Sequence, residues 1–84
     1  MFHSISTVRY KIESEIASAL AEGPSLIDVE ILDFSLKGNI YYAKGVFKVR
    51  LFLSDRIKKE GRFEIELDEK LSTQNLKLEE IKAQ

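Results

Sequence analysis

Residues 40–53 read IYYAKGVFKVRLFL. One set of alternate positions in this segment is uncharged, and the three cations Lys44, Lys48 and Arg50 all fall in the other set. A period of two is typical of a β-strand with one face buried and one face in solvent. The segment therefore predicts a long strand, whose core face carries Tyr41, Ala43, Gly45, Phe47, Val49, Leu51 and Leu53.

The preceding segment predicts a second strand with an irregularity. Its apolar residues change phase partway along, from Ile27, Val29 and Ile31 to Leu32, Phe34 and Leu36. A change of phase at Ile31–Leu32 predicts a β-bulge or a bend. Lys37-Gly38-Asn39 follows, and glycine and asparagine tolerate the positive φ of a tight turn. The two segments therefore predict an antiparallel hairpin.

The rest of the chain predicts two further strands. Residues 54–61 form a polar connection, and residues 62–68 then alternate between apolar and charged side chains. Asp68-Glu69-Lys70 supplies turn residues. Residues 75–82 predict a fourth strand, for which a short C-terminal helix is the alternative.

Charge sign alternates between these predicted strands. The polar positions carry acids in the first strand (Asp28, Glu30, Asp33), bases in the second (Lys44, Lys48, Arg50), acids in the third (Glu64, Glu66, Asp68) and bases in the fourth (Lys77, Lys82). Opposite charges on neighbouring strands attract, whereas like charges directly opposite are unfavourable. The pattern predicts an antiparallel meander whose outer face is internally compensated.

Residues 4–22 predict an amphipathic helix before the strands. Its apolar residues recur at the helical period: Ile5, Val8, Ile12, Ile16, Ala19 and Leu20. Ser4 is the expected N-cap, and Gly23-Pro24 is the expected stop, with glycine in the left-handed position. The fold class is therefore α+β: a single domain over residues 1–84, with one helix packed on a bent four-stranded antiparallel sheet (α-β-β-β-β).

The composition indicates the cellular location of the protein and limits the kinds of site that it can contain. The chain has 84 residues, 13 bases, 14 acids and no cysteine, with a net charge of −1. It therefore has no disulfide framework or thiolate site, which favours a cytoplasmic location. No apolar run is long enough to span a membrane, and the start of the chain lacks the pattern of a signal peptide. Abundant Glu and Lys also make a thermophilic source one expectation.

The sequence contains few residues in patterns typical of a catalytic site. The one histidine, His3, is expected to be an exposed terminal residue. Paired acids such as Glu64 and Glu66 are expected to face solvent opposite cations, whereas a general acid–base pair needs partial burial. The four glycines are scattered, so no phosphate loop is present. We therefore expect no metal site and no cofactor, and the balance is against an enzyme.

Nucleic-acid binding is a weaker hypothesis. Tyr42 and Phe52 interleave with the second strand's cations, a combination that can bind single strands. The acidic rows on both sides would repel phosphates, and strong binders use several phosphate contacts. After pairing, the free cations expected are Lys37, Arg56, Lys58 and Lys59, and the connection over 54–61 with Arg56, Lys58 and Lys59 is the candidate site.

Two uncharged patches favour self-association. The outward side of the helix is expected to carry Tyr10, Ser14, Ala17 and Ala21. On the outer face of the sheet, the polar pattern is broken by Tyr42, Val46 and Phe52. Small and aromatic side chains are typical of surfaces that another protein approaches closely. These seven residues are the interface candidates.

The leading functional hypothesis is a non-catalytic, soluble module that forms a homodimer and mediates protein–protein interaction or assembly. The alternative is a small-ligand binder or minor enzyme that uses a cleft between helix and sheet. Tyr41, Tyr42 and Phe47 would line that cleft, with Tyr10 contributed only by a neighbouring subunit. Weak nucleic-acid binding is third.

Overall fold

The computed structural model describes residues 4–81. It contains a helix, α1 (Ile5–Leu20), a single 3-10 turn (Pro24–Leu26) and four strands: β1 (Ile27–Lys37), β2 (Ile40–Arg50), β3 (Ile57–Leu67) and β4 (Thr73–Ile81). The strands form one antiparallel sheet in the order β1-β2-β3-β4. The predicted α+β architecture is confirmed, whereas His3 and Lys82 lie outside the described residues.

Helix α1 begins as predicted and ends earlier. The Thr7 amide donates to the Ser4 hydroxyl (3.2 Å), so Ser4 is the N-cap. At the other end, Ala21 has a φ of 56° and its amide donates to the Ser18 carbonyl oxygen, while the Glu22 amide donates to that of Ala17. These two bonds form a Schellman motif. The left-handed residue is therefore Ala21, and the prediction that Gly23 takes this conformation is wrong.

The core lies between α1 and the helix-facing side of the sheet. The helix contributes Val8, Ile12, Ile16 and Ala17, and the largest buried side chains of the sheet are Phe47, Phe63, Ile65 and Leu67. Ala19, predicted to face the core, is exposed, and Ala17 occupies the buried position instead. Leu51, predicted to lie on the core face of β2, is more than a third exposed, as is Phe34 in β1.

The predicted bulge in β1 is confirmed. The register shifts between Ile31 and Asp33, so that Leu32 has no partner on β2. Opposite the bulge, a Cβ on Gly45 would collide with the Glu30 carbonyl oxygen and lie 3.0 Å from the Leu32 amide nitrogen. The close approach at Gly45 is thus made by the backbone of β1, and glycine is required there because any side chain would displace it.

The strand ends differ from the predicted ones in two places. β2 ends at Arg50, three residues before the predicted end, because the chain turns at Leu51–Ser54. β3 begins at Ile57, so Lys58 and Lys59 belong to a strand and not to a polar connection. The two-residue loop Gly38-Asn39 joins β1 to β2 as predicted, with Gly38 at a φ of 60°.

The C-terminal segment is a strand as far as it is described. β4 pairs with β3 from Thr73 to Ile81, so the strand interpretation of this segment is confirmed and the helix alternative is wrong. None of the helices within residues 4–81 has the length and hydropathy of a membrane-crossing helix.

The predicted order of the charged rows on the outer face of the sheet is confirmed. The basic row of β2 lies between the acidic rows of β1 and β3, because the strands are adjacent in chain order. One row across all four strands alternates in sign: Asp33, Lys44, Glu64 and Lys77 occupy directly opposed positions. The sheet therefore has an apolar side beneath the helix and a charged side in solvent.

Candidate functional site

A tight turn follows β2 and presents three consecutive apolar side chains, Leu51, Phe52 and Leu53. We call these residues the apolar turn. The Ser54 amide donates to the Leu51 carbonyl oxygen (3.2 Å), and the Leu51 amide donates to the Arg56 carbonyl oxygen (2.9 Å). These bonds hold the apolar turn at the end of the β2–β3 hairpin.

The apolar turn is open to solvent. Leu51, Phe52 and Leu53 are 40%, 76% and 89% exposed. Removing one such side chain from water is favourable by roughly 1.5–3 kcal/mol. Contiguous exposed apolar residues mark interaction sites more often than isolated ones do.

Leu53 has a left-handed backbone conformation. Its φ is 59°, and for a residue with a Cβ this region costs roughly 1–2 kcal/mol. Backbone strain of this kind is concentrated at functional sites, where the surroundings maintain it. Leu71, in the turn before β4, has a similar φ of 62°, so this conformation reflects the geometry of the two turns and does not by itself mark a site.

A shallow hollow lies beside the apolar turn. Its volume is about 330 Å³, and it is lined by Leu26, Arg50, Leu51, Leu53, Ser54 and Asp55. The lining combines apolar side chains with one base and one acid. Such a surface can contact a protein, whereas it offers no concentration of positive charge.

The cations near the apolar turn are engaged within the chain. Arg50 lies 3.1 Å from the Asp28 carboxylate. Lys58 and Lys59 both contact the Glu22 carboxylate, at 3.0 and 3.4 Å. Hydrogen bonding from Lys58 lowers the pKa of Glu22, opposed by burial of the carboxylate and reinforced by Lys59. Glu22 thus neutralises much of the positive charge at the start of β3.

This arrangement corrects the nucleic-acid prediction. Lys58 and Lys59 were expected to be free cations in a loop, but they lie on β3 and bind Glu22. In the part of the chain that the structure describes, the Arg56 side chain makes no ion pair. Lys37, also expected to be free, lies over the Tyr42 ring, 5.8 Å from its centroid. The candidate cluster therefore reduces to one unpaired base.

The predicted helix patch is smaller than expected. Tyr10 and Ala21 are exposed and Ser14 is half-buried, but Ala17 is 1% exposed and belongs to the core. The prediction that Ala17 faces outward is wrong, because the buried face of the helix runs through Ile12 and Ile16 to Ala17. Without Ala17, the predicted helix patch consists of Tyr10, Ser14 and Ala21.

The predicted sheet patch is divided. Tyr42 and Val46 lie on the outer face opposite Glu66 and Arg62, with Lys44 between them. Phe52 does not share that face, because the chain has left β2 before reaching it. Of the three, Phe52 joins the apolar turn, and Tyr42 and Val46 remain separate positions on a charged surface.

The outer face carries two adjoining shallow hollows, of about 310 and 490 Å³. Both are lined by the alternating row that crosses the sheet, Asp33, Lys44, Glu64 and Lys77. The Lys44 ammonium lies 4.0 Å from the Asp33 carboxylate. Over residues 4–81, the acids do not gather into any group of three or more that could hold a metal ion.

The residues predicted to line a ligand cleft do not lie together. Tyr41 and Phe47 are buried in the core, and Tyr41 stacks against Phe34 with ring centroids 5.7 Å apart. Tyr42 projects from the opposite face of the sheet, and Tyr10 from the outward side of the helix. The three sheet residues therefore do not line one cleft.

Leu51 and Leu53 are exposed, although they continue the alternation of residues 41–49, which predicts them on the core face of β2. One signal was available: three consecutive apolar residues cannot all face one side of a strand, and Ser54-Asp55 follows them with turn residues.

No protein-family model, curated protein or solved structure matches the chain.

Proposed function

We propose that this protein is a non-catalytic interaction module that self-associates and binds a further protein through the apolar turn. The observation that carries the proposal is the exposure of Phe52 and Leu53 on a turn fixed by backbone hydrogen bonds. A surface of this kind favours a protein partner, because apolar side chains gain most from a complementary apolar pocket. The proposal places the protein in the cytoplasm, which the cysteine-free composition favours.

Charge supports a protein partner over a nucleic acid. Binding to a polyanion needs several unpaired cations on one surface. Near the apolar turn, Arg50 is paired with Asp28, and Lys58 and Lys59 are paired with Glu22. Asp55 and Arg56 add one charge of each sign. The apolar turn therefore lies in a nearly neutral setting.

The test uses Leu53→Asn, which removes the apolar side chain without opposing the fold. Asparagine adopts the left-handed conformation more readily than leucine, so we expect the free energy of unfolding to stay equal or to rise by about 1 kcal/mol. Loss of one buried leucine from an interface should weaken partner binding roughly tenfold or more. The matched control is Leu32→Asn, another exposed leucine, in the bulge of β1.

The binding measurement has two steps. A photoreactive group at position 53, compared with one at position 32, identifies proteins in an extract of the source organism that contact the apolar turn. Each purified candidate is then titrated calorimetrically against wild type, Leu53→Asn and Leu32→Asn. Weaker binding by Leu53→Asn alone supports the proposal, and equal affinity for all three proteins contradicts it. Self-association is measured separately by sedimentation velocity, and a wild-type monomer throughout a concentration series would refute that part.

A further inference from the structure

The two edges of the sheet differ in how they are protected. Along β1, the Arg9 guanidinium donates to the Val29 carbonyl oxygen (2.6 Å), and the bulge at Leu32 interrupts the strand. Both features hinder the addition of another strand. Along β4, pairing with β3 is regular from Asn75 to Ile81. Within residues 4–81, no side chain hydrogen-bonds to the backbone of that segment.

The helix also covers the β4 edge less than the β1 edge. Its backbone lies closest to β1, at the other side of the sheet. Leu76 and Leu78, on the helix-facing side of β4, are consequently only partly buried against the core. An additional strand beside β4 would cover these two leucines without displacing the helix.

We propose that a second copy of this chain pairs with β4 along this edge, antiparallel, with the two-fold axis at Leu78. The two sheets then form one continuous sheet of eight strands, with both helices on the same side. This inference rests on the proposed self-association and names the surface that performs it. The occupant is a second copy because the charges of β4 complement themselves in this register.

The charge complementarity is specific to that register. With Leu78 opposite Leu78 of the second copy, Lys77 lies opposite its Glu79, and Glu79 opposite its Lys77. These side chains share the outer face, because Lys77 pairs with Glu64 and Glu79 with Arg62. Opposite charges in directly opposed positions are the favourable cross-strand arrangement.

The alternating row continues across the proposed junction. Within one chain the row runs Asp33, Lys44, Glu64, Lys77. Beyond the axis it continues with Glu79 and Arg62 of the second copy, which within one chain form an ion pair of 2.9 Å. Six consecutive positions across six strands therefore alternate in sign.

Neighbouring registers lack this match. An axis at Lys77 opposes two lysines, and an axis at Glu79 or Glu80 opposes two glutamates. An axis at Leu76 places Lys77 opposite Asn75, with no ion pair. In the proposed register at Leu78, Leu76 lies opposite Glu80 of the second copy. The carboxylate of Glu80 lies 4.0 Å from the Lys59 ammonium of its own chain.

The experiment uses two charge reversals, K77E and E79K. Each alone places like charges opposite each other at both contacts of the homodimer, and should raise the dissociation constant roughly tenfold or more. An equimolar mixture restores attraction at both contacts, because one chain then carries two acids and the other two bases. Sedimentation velocity of each variant and of the mixture measures the effect. K70E, in the turn before β4, is the control for K77E, because both replace a lysine with a glutamate, and circular dichroism verifies folding.

The outcomes separate this inference from the proposed function. Dimeric wild type and K70E, weakened single variants and a restored mixture support the β4 register. If K77E and E79K dimerise as tightly as wild type, the β4 register is wrong although self-association stands. If wild type is a monomer throughout, this inference and the self-association part of the proposed function both fail, whereas partner binding by the apolar turn is tested separately. A mixture as weak as the single variants also contradicts the register.

Discussion

At the scale of single residues, the structure depends on positions where two backbones meet. Gly45 is the clearest case, because the bulge in β1 brings the Glu30 carbonyl oxygen into the space that a Cβ would occupy. Gly23 is the opposite case, since a Cβ there would make an ordinary contact of 3.9 Å with Leu26. The same substitution should therefore have different effects at the two glycines.

Gly45→Ala should lower the free energy of unfolding by about 1–3 kcal/mol, the range for overpacking in a close-packed interior. Gly23→Ala should change it by less than about 0.5 kcal/mol, as for most surface substitutions. Denaturation with urea, followed by circular dichroism, measures both variants. Equal stability of the two would mean that β1 does not approach Gly45 as closely as described.

Residues whose structural role is local were predictable from the sequence. Ser4 was identifiable as an N-cap because its side chain bonds within one helical turn. Leu32 was identifiable as the site of a bulge because the apolar pattern changes phase there. The left-handed conformation of Leu53 was not identifiable, because leucine has no preference for it and the constraint comes from the surrounding backbone.

At the scale of elements, the end of α1 is joined to the start of β3. The Schellman motif at Ala21 directs the chain so that Glu22 reaches both Lys58 and Lys59. The side chain of Glu22 is only 10% exposed. Because hydrogen bonding from Lys58 lowers the pKa of this carboxylate, folding favours its ionised form.

The pH dependence of stability follows from that direction. The native state holds the Glu22 proton less tightly than the unfolded state does, so the unfolded chain binds more protons in acid. The stabilisation is present above the ordinary glutamate pKa, about 4.3, and is lost as the pH falls through the lower native value. Glu22→Gln should therefore be less stable than wild type at pH 7 and should converge with it in acid.

Lys58→Met, which removes the main hydrogen-bond donor, should reduce the acid dependence in the same direction. The midpoint of urea denaturation, measured from neutral to acid pH for the three proteins, checks both expectations. Glu15, whose pKa is lowered chiefly by hydrogen bonding from Lys11, should leave a residual acid dependence in both variants. Parallel profiles for wild type and Glu22→Gln would contradict the assigned role of Glu22.

The number, type and order of the elements were predictable from the sequence, and some of their ends were not. The periods of 3.6 and two located the helix and the strands because each element buries one face. The continued alternation beyond Arg50 suggested a longer β2, although the chain turns at Leu51–Ser54. The polar run at Lys58-Lys59-Glu60 concealed the start of β3, because the stabilising partner of its lysines is distant in sequence.

At the scale of the whole molecule, the alternation of charge across the four strands was predictable from the sequence. The proposed continuation of this row across the β4 edge into a second copy was not. The sequence places opposite signs on consecutive strands, and a meander necessarily makes those strands neighbours. Which edge remains open depends on where the helix lies and on the bond from Arg9 to β1, and neither follows from periodicity. The sequence therefore predicted a dimer without indicating which sheet edge is open. It also placed Ala17 among the interface candidates, although Ala17 is buried in the core.

An eight-stranded dimer would also determine how the apolar turns are displayed. The apolar turn precedes β3, at the end of the sheet where β4 finishes, because Glu60 lies opposite Ile81. Antiparallel pairing of β4 with its copy places the two apolar turns at opposite ends of the joined sheet. The dimer would thus be a bivalent binder, whose two contacts can raise its avidity for a partner with repeated sites.

The most direct measurement is disulfide trapping at Leu78, since the chain contains no cysteine of its own. Directly opposed residues on antiparallel strands have Cα atoms about 4.5–5.5 Å apart, which a disulfide can bridge. Leu78→Cys should therefore form a covalent dimer rapidly under mild oxidation, whereas Lys77→Cys, diagonal to its copy at about 7–8 Å, should react far more slowly. If Leu78→Cys stays monomeric, or if Lys77→Cys reacts as fast, chains do not pair along β4 with their axis at Leu78.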